Sequence, residues 1–324
     1  MSVRAAQLVE RVRQGDRLAA ARAITLLENE AVDARDLAER LAPFRGASFR
    51  VGVTGPPGAG KSTLVDALAR ELRLRQEKVG VVAVDPTSPF SGGALLGDRV
   101  RMSRSLEDPE VFVRSMATRG SMGGLCRAAQ EAADVLDALG KTWVMLETVG
   151  VGQSELSVAA ACDATVVVLV PEAGGTVQAM KAGLMEIADL FAVNKSDRPG
   201  ADDMAVQLKD AAKHLVRDGW KVPVHKVVAL DGSGVPELID RLQSYRAWLQ
   251  EGARWEEKRL RQAAHRIRDM VRSRLEERLW ADPEVRRSLN ESARRVKDGE
   301  LAVHQAAGDV WRTVQERLTQ GRDL

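Results

Sequence analysis

The chain has 324 residues, 44% of them hydrophobic and 29% charged, with a formal net charge of +2 and 4% aromatic residues. That length suits one large domain with extensions, or two domains; the near-neutral balance and scarce aromatics argue against a nucleic-acid surface built on a positive field or on base stacking. With two cysteines, Cys126 and Cys162, no apolar run near the roughly 18 residues of a membrane span, and no signal-peptide core in MSVRAAQLVERVRQGD, the expected setting is the reducing cytoplasm, with no membrane partner.

Residues 1–46 read as an N-terminal helical extension. Ala5, Leu8, Val9 and Val12 recur at helical spacing, as do Ala20, Ala23, Ile24 and Leu27. Gly15-Asp16 supplies a stop and an N-cap between the two stretches. Such helices need a surface on which to bury their apolar faces.

Residues 47–250 alternate short β-branched runs with helical stretches. Predicted strands are 49–54, 79–85, 111–116, 143–148, 164–170, 189–194 and 222–228. Several are continuous apolar runs, which suits strands covered on both faces. The expected fold class is α/β, a mostly parallel sheet wrapped by helices. Ligands of such folds sit at the carboxyl ends of the strands.

The first predicted strand runs into Gly55-Pro56-Pro57-Gly58-Ala59-Gly60-Lys61-Ser62-Thr63. It matches G-x-x-x-x-G-K-[ST] and opens a predicted helix over 63–75. Glycines let backbone N–H groups turn inward around an anion, and the helix N-terminus adds its positive end. Lys61 is expected to reach the β- and γ-phosphates, and Ser62 to ligate Mg²⁺.

Three acids follow where a metal would lie: Asp85 at the end of the second strand, Asp98 after the glycine-rich stretch 91–97, and Glu147 near the end of the fourth. Mg²⁺ takes oxygen ligands, often through water. Asp85 reads equally as a turn cap and Asp98 as a helix N-cap, whereas a charge inside an apolar strand, as at Glu147, needs a partner. Gly150, three residues beyond Glu147, is placed to offer an N–H to the γ-phosphate. In 171–183, Gln178 and Lys181 are candidates to point toward the nucleotide, or belong to an ordinary connecting helix.

Asn194-Lys195-Ser196-Asp197 ends the sixth predicted strand. The Asp197 carboxylate can accept from the N1–H and 2-amino groups of guanine, a pair that adenine lacks, and sites built on such donors discriminate strongly. The loop 229–234, with Ala229 and Leu230, is placed to touch the base through its backbone.

Residues 251–324 read as helical and arginine-rich. Ile267, Met270, Val271, Leu275 and Leu279 form an apolar stripe, broken at Asp282-Pro283, an N-cap followed by proline at the first helical position. Interleaved basic and acidic residues read as a solvated helix face, a dimer arm or a partner contact. Trp255, Trp280 and Trp311 are expected as packing anchors.

The segments GPPGAGKST, VDPTSPFSGGALLGDRVRM, ATRGSMGGL, ETVGVGQSE, QAMKAGLMEIADLFAVNKSD and ALDGSG together resemble the MeaB/MMAA-type GTPases, also catalogued as ArgK-like. The resemblance covers nearly the whole chain. It implies a GTPase, using GTP/GDP and Mg²⁺, that acts as chaperone to an adenosylcobalamin-dependent acyl-CoA mutase: it gates cofactor loading and release, and the chain forms homodimers through the C-terminal helices. It also implies magnesium-side roles for Ser62, Asp85, Asp98 and Glu147, catalytic roles for Lys61, Asp85, Glu147 and Lys181, and switch-loop roles for Asp98, Gln153, Gln178 and Lys181. One departure stands out: Gly174-Gly175 replaces the family's usual Gly-Asp, removing a negative charge from a loop that couples nucleotide state to the mutase. The client enzyme is not legible, and Arg99, Arg101 and Arg119 are equal candidates for an arginine finger.

Two other classes make different demands on the residues. A metal-insertion GTPase would need a Cys/His ligand set, and His214, His225, His265, His304 and the cysteines show no ligand spacing. A small-molecule (arginine) kinase would need an acceptor pocket.

Overall fold

The computed structural model describes residues 3–85, 108–117, 122–148, 160–171 and 183–319, with the side chains of Asp85, Ala117, 122–126, Arg217 and Leu318 outside that description. The chain divides into two compact units, Met1–Gln262 and Ala263–Leu324. Asp98, Gly150, Gln153, Gln178 and Lys181 lie outside the described residues, as do Arg99, Arg101, Arg119 and Gly174-Gly175.

The first unit is built on a seven-stranded sheet. Its strands are β1 (Phe49–Thr54), β2 (Val79–Asp85), β3 (Val111–Ala117), β4 (Trp143–Glu147), β5 (Ala164–Leu169), β6 (Leu190–Val193) and β9 (Val224–Lys226). The order is β3-β2-β4-β1-β5-β6-β9, and every pairing is parallel. β1 is central, and each parallel link needs a crossover, which the helices supply. All residues of β4 and β5 are buried, as the continuous apolar runs predict.

Alternate side chains feed two cores. Val51, Val53, Val81 and Met145 meet Leu64, Leu68 and Leu72 of α4 (Lys61–Leu74), with Leu238, Ile239 and Leu242 of α8 (Val235–Gln250). On the other face, Val82, Val84, Val144 and Leu146 meet α5 (Met122–Ala138). That helix is alanine-rich and is covered on its outer side too. The surface that the leading helices need is α5: α1 (Val3–Arg13), α2 (Arg17–Glu28) and α3 (Ala34–Leu41) bury Leu8, Val12, Ile24, Leu27, Leu37 and Leu41 in the same core. Asp16 caps α2, accepting from the Ala19 N–H, as expected. A third core under β5 and β6 is closed by α7 (Ala201–Ala212), preceded by the short α6 (Leu184–Ile187). The hairpin β7 (Val216–Arg217) and β8 (Trp220–Lys221) escaped the sequence reading. Its turn, Asp218-Gly219, has positive φ at both residues, the conformation a two-residue hairpin loop requires.

The starts of the strands are held by buried charge. Asp163, at the head of β5, is 1% exposed. It accepts from the backbone N–H of Arg50 at 2.9 Å, from Trp255 Nε1 at 2.8 Å and from Arg259 through two nitrogens at 3.0 and 2.9 Å. Asp189, before β6, accepts from the Thr165 N–H at 2.9 Å, the Tyr245 hydroxyl at 2.7 Å and Lys258 at 3.2 Å. Trp255, Lys258 and Arg259 all belong to the opening turns of α9 (Arg254–Ala281). Arg259 also donates to the carbonyls of Gly46 and Ser48, and Gln262 to that of Cys162. Burial works against the charge of Arg50, but Asp134 and Asp137 beside it more than offset this and raise its pKa.

In the second unit, α10 (Pro283–Lys297) and α11 (Val303–Thr319) pack through Val285, Val310 and Val314, with Leu279 against them. Asp282 caps α10, accepting from the N–H groups of Glu284 and Val285, and pairs with Arg317 at 2.9 Å. The helix break at Asp282 falls where the sequence places it. Of the three tryptophans expected as anchors, Trp255 packs edge-on against Phe49, but Trp280 and Trp311 are exposed at 45% and 56%. The unit's small apolar core closes without them.

Removing one partner of a buried ion pair leaves the other charge uncompensated, which costs about 3 kcal/mol or more. Arg259→Ala is therefore expected to lower stability by about 3 kcal/mol, measured by urea unfolding of the first unit's tryptophan signal.

Candidate nucleotide site

The carboxyl end of β1 turns into the loop 55–60, and α4 begins at Lys61. Two glycines are required by contact. Gly55 has φ +141°, and a Cβ there would lie 2.1 Å from the Val168 carbonyl oxygen of β5. Gly60 has φ +84°, and a Cβ would lie 2.4 Å from Asn194 Nδ2. The loop is thus pressed onto β5 and onto the residue that ends β6. Pro57, Gly58 and Ala59 complete it, with Ala59 fully buried.

Lys61 is 7% exposed. Its ammonium donates back to the carbonyls of Gly55 at 2.9 Å and Pro56 at 3.1 Å. The lysine therefore arches over the loop, in position to trade carbonyl oxygens for phosphate oxygens. Ser62 is equally buried, and its hydroxyl donates to Glu147 Oε1 at 2.6 Å. Glu147 itself is 4% exposed at the end of β4, paired in register with Val53 of β1. The partner that a carboxylate in an apolar strand requires is thus Ser62. Thr63 follows in the first turn of α4, half-buried.

The buried hydroxyl and carboxylate side by side are hard oxygen donors, the set that Mg²⁺ takes. Asp85 ends β2, two residues beyond Ala83, which pairs with Glu147. Its backbone therefore stands at the same edge of the sheet. Asp98, the third expected acid, lies outside the described residues.

Asn194 is 2% exposed and joins the two halves of the site. Its Nδ2 donates to the Ala59 carbonyl at 2.8 Å, and its Oδ1 accepts from the Ala229 N–H at 3.1 Å. One carboxamide therefore binds the phosphate loop to the loop after β9. Lys195 adopts φ +54°, and Ser196 donates its N–H to the Val227 carbonyl at 3.1 Å. Asp197 is left exposed beside them, its carboxylate open to a ligand. Leu230, next to buried Ala229, is 79% exposed, an apolar side chain on the loop expected to lie against a base. Asp231 shapes that loop: the backbone N–H of Ser233 donates to it at 2.8 Å and holds its carboxyl below the usual range.

The structure thus brings Lys61, Ser62, Glu147, Asn194 and Ala229 into one linked cluster. Sequence reading passed over Thr54 and Thr148, whose hydroxyls meet at 3.0 Å beneath the phosphate loop. The available signal was a hydroxyl residue ending each of two apolar strands. The linking role of Asn194 was missed too, because it depends on residues 135 positions away.

The family model described as methylmalonyl-CoA mutase-associated GTPase MeaB matches residues 20–284. A protein of Pyrococcus abyssi named as a GTPase is 45% identical over 313 residues, covering 95% of this chain and 96% of that one. The mouse mitochondrial methylmalonic aciduria type A homolog is 32% identical over 323 residues, covering 94% and 78%. Among solved structures, one described as an LAO/AO transport system kinase superposes with a TM-score of 0.76 at 28% identity, covering 97% of this chain and 99% of that one. A phosphate-loop motif and an Asn-Lys-x-Asp motif joined through Asn194, in a chain matched over most of its length by these relatives, identify it as a GTPase that belongs to the MeaB family.

Proposed function

We propose that this GTPase is the chaperone of an adenosylcobalamin-dependent acyl-CoA mutase in the cytoplasm, gating the loading and release of the mutase cofactor. The observation that carries the nucleotide part is the Asn194 carboxamide, which ties phosphate loop to base loop. The mutase part rests on the family match and on the mouse relative named for methylmalonic aciduria.

The residues divide the work. Loop N–H groups from 55–60 and the N-terminus of α4 receive the phosphates. Lys61 leaves the carbonyls of Gly55 and Pro56 for the β- and γ-phosphate oxygens. Ser62 and Glu147 would hold Mg²⁺, with Asp85 and Asp98 as further oxygen donors. Bound Mg²⁺ neutralises charge on the β- and γ-phosphates. Gly150 offers its N–H to the γ-phosphate. Gln153, Gln178 and Lys181 answer the nucleotide state, and Lys181 also stabilises charge at the γ-phosphate. Asp197 accepts from guanine N1–H and the 2-amino group, Lys195 lies along the base, and the backbone of Ala229 and Leu230 closes the pocket.

The C-terminal region, 251–324, serves as the dimerisation arm. Leu260, Ile267, Val271 and Leu275 recur at spacings of seven and four along α9 and are 71%, 64%, 52% and 62% exposed. Such a stripe is a helix-pairing seam. Its partner is a second copy of the chain.

Three outcomes follow. GTP turnover by the purified chain is expected to be slow and to rise on adding the cognate acyl-CoA mutase, with ATP inert; equal turnover with and without every such mutase would remove the chaperone reading and leave the GTPase. Arginine phosphorylation in the same assay would instead support a kinase. Asp197→Asn loses two charge-assisted hydrogen bonds, together about 3 kcal/mol, so GTP affinity is expected to fall by about 100-fold while xanthosine triphosphate, which has an acceptor in place of the 2-amino group, binds better. Ile267→Glu with Val271→Glu is expected to convert a dimer to a monomer by light scattering, with GTP binding retained.

A further inference from the structure

Thr54 and Thr148 end β1 and follow β4, and each is 1% exposed. The Thr148 hydroxyl donates to Thr54 Oγ1 at 3.0 Å. The Thr148 N–H also donates to the Val53 carbonyl at 3.2 Å. At two buried strand ends among valines and leucines, a hydroxyl is a liability unless it is paired. Valine would fill either position as well by shape, so the pair calls for a reason other than packing.

Their neighbours supply one. Thr54 immediately precedes the phosphate loop and Ser62 lies at its far end. The adjacent residues Glu147 and Thr148 touch both: Glu147 accepts from Ser62 at 2.6 Å, and Thr148 donates to Thr54. The end of β4 therefore grips the phosphate loop on its two sides. The two grips are not equivalent. Metal binding would engage the oxygens of both Ser62 and Glu147, whereas nothing in that step involves Thr54. Gly55 offers no slack, because the Val168 carbonyl lies against it.

We propose that the Thr54–Thr148 hydroxyl pair is a positioning element for hydrolysis, holding the end of β4 in place on the phosphate loop while the oxygens of Ser62 and Glu147 take up the metal. Thr148 acts through Glu147, not on the substrate. The inference rests on the magnesium role proposed for Ser62 and Glu147. It makes the metal-dependent step sensitive to the hydroxyl pair and leaves metal-free nucleotide binding insensitive to it.

The test is a double-mutant cycle with Thr54→Val and Thr148→Val, read as single-turnover GTP hydrolysis over a Mg²⁺ titration and as GDP affinity in EDTA. Each single variant is expected to slow hydrolysis by about 5- to 10-fold, the worth of one hydrogen bond. The double variant is expected to be no slower than either single one. GDP affinity in EDTA stays within about twofold, and Thr148→Ser, which keeps the hydroxyl, hydrolyses at the wild-type rate. Losses that multiply in the double variant would overturn the proposal, as would a Thr148→Ser defect equal to that of Thr148→Val, or a parallel fall of GDP affinity in EDTA. Should a valine variant fail to fold, the serine variant alone decides, since it must retain the rate. Wild-type hydrolysis that needs no Mg²⁺ would count against the metal role itself, and the cycle would still report whether the hydroxyls act as a pair.

Discussion

A parallel sheet covered on both faces leaves polar chemistry only one place to go: the two ends of its strands. Everything distinctive in the first unit follows from that constraint. β4 and β5 are buried along their whole length, so charge cannot stand on their faces. It gathers instead at the strand starts, where Asp163 and Asp189 are caught by α9 and α8, and at the strand ends, where Lys61, Ser62, Glu147 and Asn194 meet. One end is a structural lock. The other is the candidate nucleotide site.

The two ends differ in how their buried charges are matched. At the starts, Asp163 is saturated by two side chains and a backbone N–H, and such a cluster resists change. At the carboxyl ends, the polar groups are bonded to one another in ways that a ligand can replace. Lys61 borrows two loop carbonyls, and Ser62 borrows a carboxylate.

The C-terminal helices obey a different constraint. α9 buries no residue along its 28 positions, yet it carries an apolar stripe. Its opening turns are held by ion pairs to Asp163 and Asp189 and by the edge-on packing of Trp255 against Phe49. The pairing proposed above would cover that stripe with a second copy of the chain.

Much of this was legible in residue order alone. The strands, the caps at Asp16 and Asp282, the phosphate loop and the Asn-Lys-x-Asp reader are local signals, set by periodicity, by turn chemistry or by contiguous motifs. The Asp218-Gly219 hairpin was local too, and was missed because its strands are two residues long and carry no period. What the tertiary structure alone decided is which distant residues meet. The pairing of Ser62 with Glu147, of Asn194 with Ala59 and Ala229, of Thr54 with Thr148 and of Arg259 with Asp163 all depend on strand order. β4 lies beside β1 although β2 and β3 intervene in the chain, and no local pattern specifies that neighbour. Residue type and spacing determined what chemistry the chain carries; the sheet's crossover order, set by the burial of two apolar faces at once, decided where that chemistry comes together.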